Sequence, residues 1–472
     1  MSKRSFFQVA QKTMSALSNQ PAASHDNKSM DFIQLYHDLY DESPETRILC
    51  GEARFKELLE SLTFGGLTTV HELKITKGIC RRKDVECAEL VETAPDPDAG
   101  GRCELQVLFL KPFMRNAVTL SPTSFFQLLK ATGASPSYLE VLMDNNGLYS
   151  SLTVPGPNDA PTDYYIFIKY PFGPFANGSF MLHHHFHTGK TSVVIEVPNT
   201  QLLAERTFEL FSTPYYSTTS GLPHPLVPLA LFVDHLRCLN EDERVDIDKS
   251  IRHLESRSGV ALHNFGSRTR ARISEFAVLK EELHMKEALM AMADHIFSFQ
   301  MKMVAFAIGE SGNFHALLQP LFTNTSTHRQ VNFVKACLSL NGSMATWTVA
   351  QLHSLRERLR VQAKVVDGTI TATDTLTMIR LAQNSQSDSN TMKAITVLTM
   401  IFLPAIFVCS LFSMGFFNFQ TSPSELKFQV ASQFWIYFAV AIPLTVVVLG
   451  ICAAWLRRSG RDGDSISEFP TK

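Results

Sequence analysis

Two uncharged apolar segments lie within about the last eighty residues of this chain, and they limit its possible folds more than any other feature. Ala394 to Met414, AITVLTMIFLPAIFVCSLFSM, has 21 residues, and Phe434 to Leu456, FWIYFAVAIPLTVVVLGICAAWL, has 23. At a rise of about 1.5 Å per residue each is long enough to cross a hydrocarbon layer of ~30 Å. Trp435, Tyr437 and Trp455 stand near segment ends, where amphipathic rings favour the headgroup level. Pro404 and Pro443 fall mid-segment, each removing one backbone bond that neighbouring helices must accommodate. The loop between the segments carries Glu425 and Lys427, whereas Arg380 and Lys393 precede the first and Arg457, Arg458 and Arg461 follow the second. This charge asymmetry predicts a multi-pass protein with both termini in the cytosol. The host is then the plasma membrane, or the mitochondrial inner membrane if the opening residues are a transit peptide. That opening, MSKRSFFQVAQKTMSALSNQPAASHDNK, is basic and has no acid before Asp26, but it is poor in arginine, which favours a plain cytosolic tail.

The remaining chain reads as two regions. From residue 30 to 222 strand and helix signals alternate. KELLESL (Lys56 to Leu62) is helical, and Ser121-Pro122 and Ser135-Pro136 each read as a cap with proline at the first helical position. ELQVLFL (Glu104 to Leu110), DYYIFIKY (Asp163 to Tyr170), SFMLHHHF (Ser179 to Phe186) and TSVVIEV (Thr191 to Val197) read as strands. From 223 to 393 the pattern is helical, with long helices expected over Arg268 to Ala307 and His328 to Gln383. Leu352, Leu355, Leu359, Val366 and Ile370 mark one apolar stripe, and nothing breaks the helix before the first apolar segment. A rod of that kind cannot bury its stripe alone, which predicts a bundle of several copies. The fold class is therefore α+β. It comprises a flexible tail (1–29), a cytosolic α/β domain (30–222), long stalk helices (223–393), two transmembrane helices (394–456) and a basic tail (457–472).

Composition excludes several functions. A net charge of -2 provides no basic stripe for nucleic acid. The eight cysteines include no Cys-x-x-Cys pair and read as reduced thiols. No P-loop, nucleophile elbow or HExxH motif suggests an enzyme. HHHFH (His183 to His187) would place His183, His185 and His187 on one strand face, as a transition-metal site needs, but a hairpin turn follows directly and no Cys or carboxylate is interleaved. Stacked or solvated rings are the plainer reading. EDERVDID (Glu241 to Asp248) reads as a solvated helix face, with a regulatory Mg²⁺ site between subunits as the sharper alternative.

The stretch NTMKAITVLTMIFLPAIFVCSLFSMGFF (Asn390 to Phe417), followed by a second span and a basic tail, resembles the membrane end of the CorA-like magnesium transporters, in a divergent fungal-type branch. The resemblance implies a homopentamer in a lipid bilayer whose first span lines a pore for hydrated divalent cations, Mg²⁺ foremost, and continues into a stalk. It implies no resident cofactor, the cation being cargo. The family's Tyr-Gly-Met-Asn-Phe signature, counted without gaps from Pro404, falls on Phe412, Ser413, Met414, Gly415 and Phe416. The aromatic, Met and Phe are kept, while glycine has become serine and the cation-holding asparagine has become Gly415. The same count places the family's hydrophobic gate on Met392 and Ile395, and its pore threonine on Ile406. Helix geometry selects the same face independently, because Met392, Ile395, Thr399, Leu403, Ile406, Ser410 and Ser413 fall within roughly 100° of arc. Hydroxyl rungs and apolar constrictions on one face suit a narrow pore, although small hydroxyl residues also serve plain helix packing. Glu425 matches the acidic position of the family's outer loop. The resulting expectation is a divalent-cation channel, and the lost asparagine keeps a transport-silent scaffold or sensor as its alternative.

Overall fold

Ser121 and Pro122 open the helix that the sequence marks most plainly. The Ser121 hydroxyl accepts the backbone N–H of Ser124 at 3.2 Å, and Gly133 ends the helix in the left-handed conformation at φ 63°. The computed structural model of the chain describes residues 36–37, 51–76, 79–92, 104–111, 117–156, 160–171, 177–213, 224–258, 273–318, 325–413 and 434–463. It divides into two units, 1–366 and 367–472, each taken by itself below.

In the first unit the described elements run α1 (Glu52–Ser61), β1 (Thr63–Leu67), β2 (Thr69–Thr76), β3 (Ile79–Glu86), α2 (Cys87–Glu92), β4 (Glu104–Leu110), β5 (Ala117–Leu120), α3 (Pro122–Thr132), α4 (Ser137–Met143) and β6 (Leu148–Pro155). β7 (Pro161–Tyr170), β8 (Gly178–His185), β9 (Lys190–Glu196), α5 (Thr200–Phe211), α6 (Val227–Ser258), α7 (Ile273–Leu318) and the first part of α8 (Thr325–Ser413) follow. The expected α/β region and long helices are present. At Ser135-Pro136 the expected cap is shifted: α4 begins at Ser137, with Pro136 outside it and the Ser135 hydroxyl accepting Ser137 N–H at 3.4 Å.

A seven-stranded sheet in the order β3-β2-β4-β9-β8-β7-β6 forms the centre. β4 and β9 pair in parallel and every other neighbour is antiparallel. Because side chains alternate across a strand, each register row lies on one face. The row Phe167, Met181, Val194, Leu108 is buried against α1, α3 and α4, where Phe125, Tyr138 and Leu139 supply the apolar cover. Further along the same strands the face turns polar, through Tyr165, His183, Ser192, Gln106, Lys74 and Arg81 in register.

The opposite face carries the helices α5, α6 and α7. Phe180 of β8 meets Phe232 of α6 with ring centroids 5.1 Å apart, and the Tyr164 hydroxyl donates to the buried Glu310 carboxylate of α7. Asn240 of α6 donates to the Tyr170 hydroxyl at 2.5 Å and also to Gln300 of α7, so one amide ties the sheet to both helices. The stripe Leu352, Leu355, Leu359 and Val366 of α8 is fully buried. Each such side chain contributes about 1.5–3 kcal/mol of apolar burial. Arg356 pairs with Asp294 of α7 at 3.0 Å, and Gln362 accepts the Ser258 hydroxyl of α6 at 2.6 Å. This stripe is therefore covered by the chain's own helices and does not require further copies.

The second unit holds the rest of α8 and α9 (Phe434–Gly463), with Pro404 and Pro443 inside their helices. Among the described residues one helix, α8, is long and apolar enough to cross a membrane, and a shorter apolar stretch, Trp435–Ile451, lies in α9.

Candidate functional site

In the second unit the sequence singles out one face of α8, and the geometry shows what covers the helix. Pro404, Val408 and Ala441 are its buried apolar residues among the described ones, and the Cys409 thiol donates to the Tyr437 hydroxyl at 3.5 Å. Val408 lies about 160° around the helix from Met392 at 100° per residue. Thus α9 sits against the Val408–Cys409 side, and the Met392 face points away from it. Met392 (73% exposed), Ile395, Leu403 (67%) and Ile406 leave that face uncovered, as do Thr399, Ser410 and Ser413. Thr399 directs its hydroxyl back along the helix, donating to the carbonyls of Ile395 and Thr396, both at 2.9 Å. Ser413 is the last residue of α8, while Met414, Gly415, Phe416 and Glu425 lie outside the described residues.

The other candidates resolve differently. The histidines occupy a hairpin, with β8 ending at His185 and the turn at 186–189. His183 is held by the Thr132 carbonyl at 2.8 Å and the Asp163 carboxylate at 2.7 Å, and its ring stacks on Tyr165 with centroids 4.4 Å apart. Those contacts occupy both ring nitrogens. His184 points to the opposite face, bonded to the Thr191 hydroxyl at 2.8 Å and set edge-on to Phe314. Burial, helped by the neighbouring histidines, drives its pKa down to about 3, so the ring stays neutral. His187 lies in the exposed turn. Among the described residues no three His, Cys, Asp or Glu side chains are arranged to hold a metal ion.

The acidic run on α6 is less solvated than its composition implies. Glu241 pairs with Arg244 at 2.6 Å, and Asp248 is held by Arg358 of α8 at 2.7 Å and by Arg252 at 2.6 Å. Burial, reinforced by Asp246, pushes the Glu243 carboxyl up to about 8. Sequence reasoning missed Arg358, the residue that engages this run from another helix. The opposite charges are visible in the sequence, but their 110-residue separation hides the pairing. The described thiols are free, and burial raises Cys80 and Cys87 to about 11, which keeps them protonated and unreactive.

The apolar end of α8 has the length and composition of a membrane span, and the family match of the same region places the chain among membrane proteins. Residues 284–458 match the family model described as CorA-like Mg2+ transporter protein, and the C-terminal region of the chain is a domain of that family. A segment of 65 residues is 42% identical to the notoamide biosynthesis cluster protein M' of Aspergillus versicolor, covering 14% of this chain and 14% of that protein's length. Among solved structures, full-length CmaX is similar with a TM-score of 0.40 and 14% identity, over 84% of this chain and 99% of that one. The CorA magnesium transporter of Methanocaldococcus jannaschii gives 0.35 and 12%, over 82% and 98%. The cytoplasmic domain of ZntB from Vibrio parahaemolyticus gives 0.33 and 9%, over 63% and 98%.

Proposed function

We propose that the chain is a divalent-cation channel of the CorA type, passing hydrated Mg²⁺ through a pore lined by the first membrane helix of several identical copies. The observation that carries this reading is the face from Met392 to Ser410, which lies away from Val408 and sets hydroxyls among apolar side chains, in a segment exposed on most of its other sides as well. Copies arranged around an axis would turn that face inward. Met392, Ile395, Leu403 and Ile406 would then form apolar constrictions, with Thr399, Ser410 and Ser413 as hydroxyl rungs. Neither apolar segment contains an acid, so the ion would keep most of its water shell and move down the membrane potential. Each charge gains ~2.3 kcal/mol per 100 mV.

A second apolar series supports assembly into oligomers. Phe333, Leu340, Trp347 (70% exposed) and Val361 recur on α8 at multiples of seven residues, and Val278, Met285 and Met292 do so on α7. Heptad spacing is the pattern by which helices of neighbouring copies pack. We read the assembly as a pentamer, with both termini cytosolic, Trp435–Ile451 within the second span, and Glu425 attracting cations at the outer loop.

Purified protein in liposomes loaded with a Mg²⁺-sensitive dye tests the reading. A potential-driven rise in signal is expected. No flux from a well-folded oligomer would instead favour the transport-silent scaffold or sensor, the reading to which Gly415 in place of asparagine gives weight.

A further inference from the structure

The seven-stranded sheet has a polar end that the channel reading does not use. On the face that buries Leu108 and Val194, two successive register rows carry charge. One runs Arg81, Lys74, Gln106, Ser192, and the next includes Glu104 beside Lys190. Neighbouring strands lie about 4.8 Å apart and successive same-face residues about 6.7 Å, so Lys74 on β2 and Lys190 on β9, one row apart across β4, start roughly 12 Å from each other. Four cations, Arg81, Lys83, Lys74 and Lys190, share this end with three carboxylates, Glu72, Glu104 and, two strands from Lys190 in its own row, Asp163.

All three carboxylates are already engaged, Asp163 with His183 at 2.7 Å. Glu72, almost fully buried, accepts the Gln106 amide at 2.6 Å and faces Lys83 at 3.9 Å, while Glu104 pairs with Lys74. Lys190 and Arg81 have no ion-pair partner among the described residues. Lys190 is half-buried, and its ammonium is held below its ordinary pKa, first by that burial, with Glu72 acting in the opposite sense. Lys74 is lowered as well, first by burial, then by Lys190 and Lys83 against the pull of Glu72. A folded domain thus keeps one lysine without an ion-pair partner, Lys190, beside the paired Lys74 and over a floor of buried Gln106 and Ser192. A surface cation with no such role would extend into water.

We propose that this end of the sheet is a binding site for an oligophosphate anion, either pyrophosphate or the phosphate tail of a nucleotide. Lys190 and Lys74 would hold its ends, Arg81 would add a planar fork, and Ser192 and the second N–H of Gln106 would serve as neutral donors. Glu72 and Glu104 limit the site to strongly charged anions, because a monoanion gains too little against them.

The test is a thermal melt of the full-length protein in detergent, with a chelator present throughout so that Mg²⁺ bound by the phosphates cannot act on the membrane domain. Pyrophosphate and ATP are titrated beside AMP, adenosine and, at matched ionic strength, sulfate. A saturable rise in melting temperature with pyrophosphate and ATP, absent with adenosine and sulfate, is expected. Equal affinity for the two would assign the site to the phosphates alone, and tighter ATP binding would add contacts to the base. Lys190→Met and Lys74→Met should each weaken binding at least ten-fold, while Lys83→Ala changes it less than three-fold. In the unaltered protein, pyrophosphate should also protect Lys190 from an amine-acylating reagent, read by mass spectrometry. No saturable shift, a shift matched by sulfate, or undiminished labelling of Lys190 overturns the proposal.

Discussion

Arg358 of α8 grips Glu255 of α6 through two parallel hydrogen bonds, at 2.9 and 2.8 Å. A third bond reaches Asp248 at 2.7 Å, and the two carboxylates hold the guanidinium charged. Glu255 is itself nearly buried, so removing the arginine strands a carboxylate against helix packing. Arg358→Ala is expected to cost about 2 kcal/mol, the usual loss for a charge-assisted bond at a part-buried site. Arg358→Lys should recover less than half, since an ammonium cannot make the fork. Denaturant melts of the three proteins in one detergent check the order.

Glu243 makes the helical region sensitive to alkali. Its folded carboxyl titrates near 8, raised first by burial and then by Asp246, with Lys286 opposing. A raised folded value means that the protonated form is the one the fold prefers. The contribution is intact below the unfolded carboxylate range, near pH 4.5, and is lost as pH climbs through about 8. Glu243→Gln should leave stability unchanged at pH 5 and raise it by ~2 kcal/mol at pH 9. An unfolding midpoint that responds equally to the substitution at both values would contradict the assignment.

Gly133 is needed where α3 ends. Its φ of 63° suits glycine, and a Cβ there would stand 2.8 Å from the His183 ring. Gly133→Ala combines left-handed strain with displacement of a ring held on two sides, and should cost roughly 2 kcal/mol. Pairing it with His183→Ala, which clears the space, should reduce the additional penalty to about the 1 kcal/mol of backbone strain. A double-mutant cycle by chemical unfolding measures that coupling.

Cysteine accessibility separates the two faces of the first membrane helix. If the proposed channel forms, in a Cys409→Ser background Leu403→Cys and Ile406→Cys should react with a water-soluble thiol reagent under conducting conditions and should cross-link between copies. Val408→Cys, against α9, should do neither. Uniform reactivity at the three positions would place the pore elsewhere. In the proposed channel, Gly415→Asn, which on the gapless count would restore the family's cation-holding residue, should sharpen any preference for Mg²⁺ over larger divalent ions at least several-fold in liposome flux.

The central strands were legible because Glu104 to Leu110 and Thr191 to Val197 are apolar runs of strand length. β3, ICRRKDVE, was not, because an edge strand with one buried residue has no hydrophobic pattern to read. β1 and β5, of five and four residues, are too short to show a period. The candidate face from Met392 to Ser413 follows from spacing alone, but its exposure depends on where α9 packs, which Val408 and Ala441 decide and no local pattern records. The acidic run of α6 was misread for the same reason, since Arg358 arrives from a distant helix.

The hydroxyl of Thr399 has spent its only proton on its own helix, and Thr396 does the same toward Met392 at 2.8 Å. What each has left to offer is lone pairs. In the proposed pore, a ring of such oxygens would discriminate by the sign of a passing ion while carrying no charge of its own. With nothing in it to titrate, its preference for cations would be fixed across the whole pH range in which the protein stays folded.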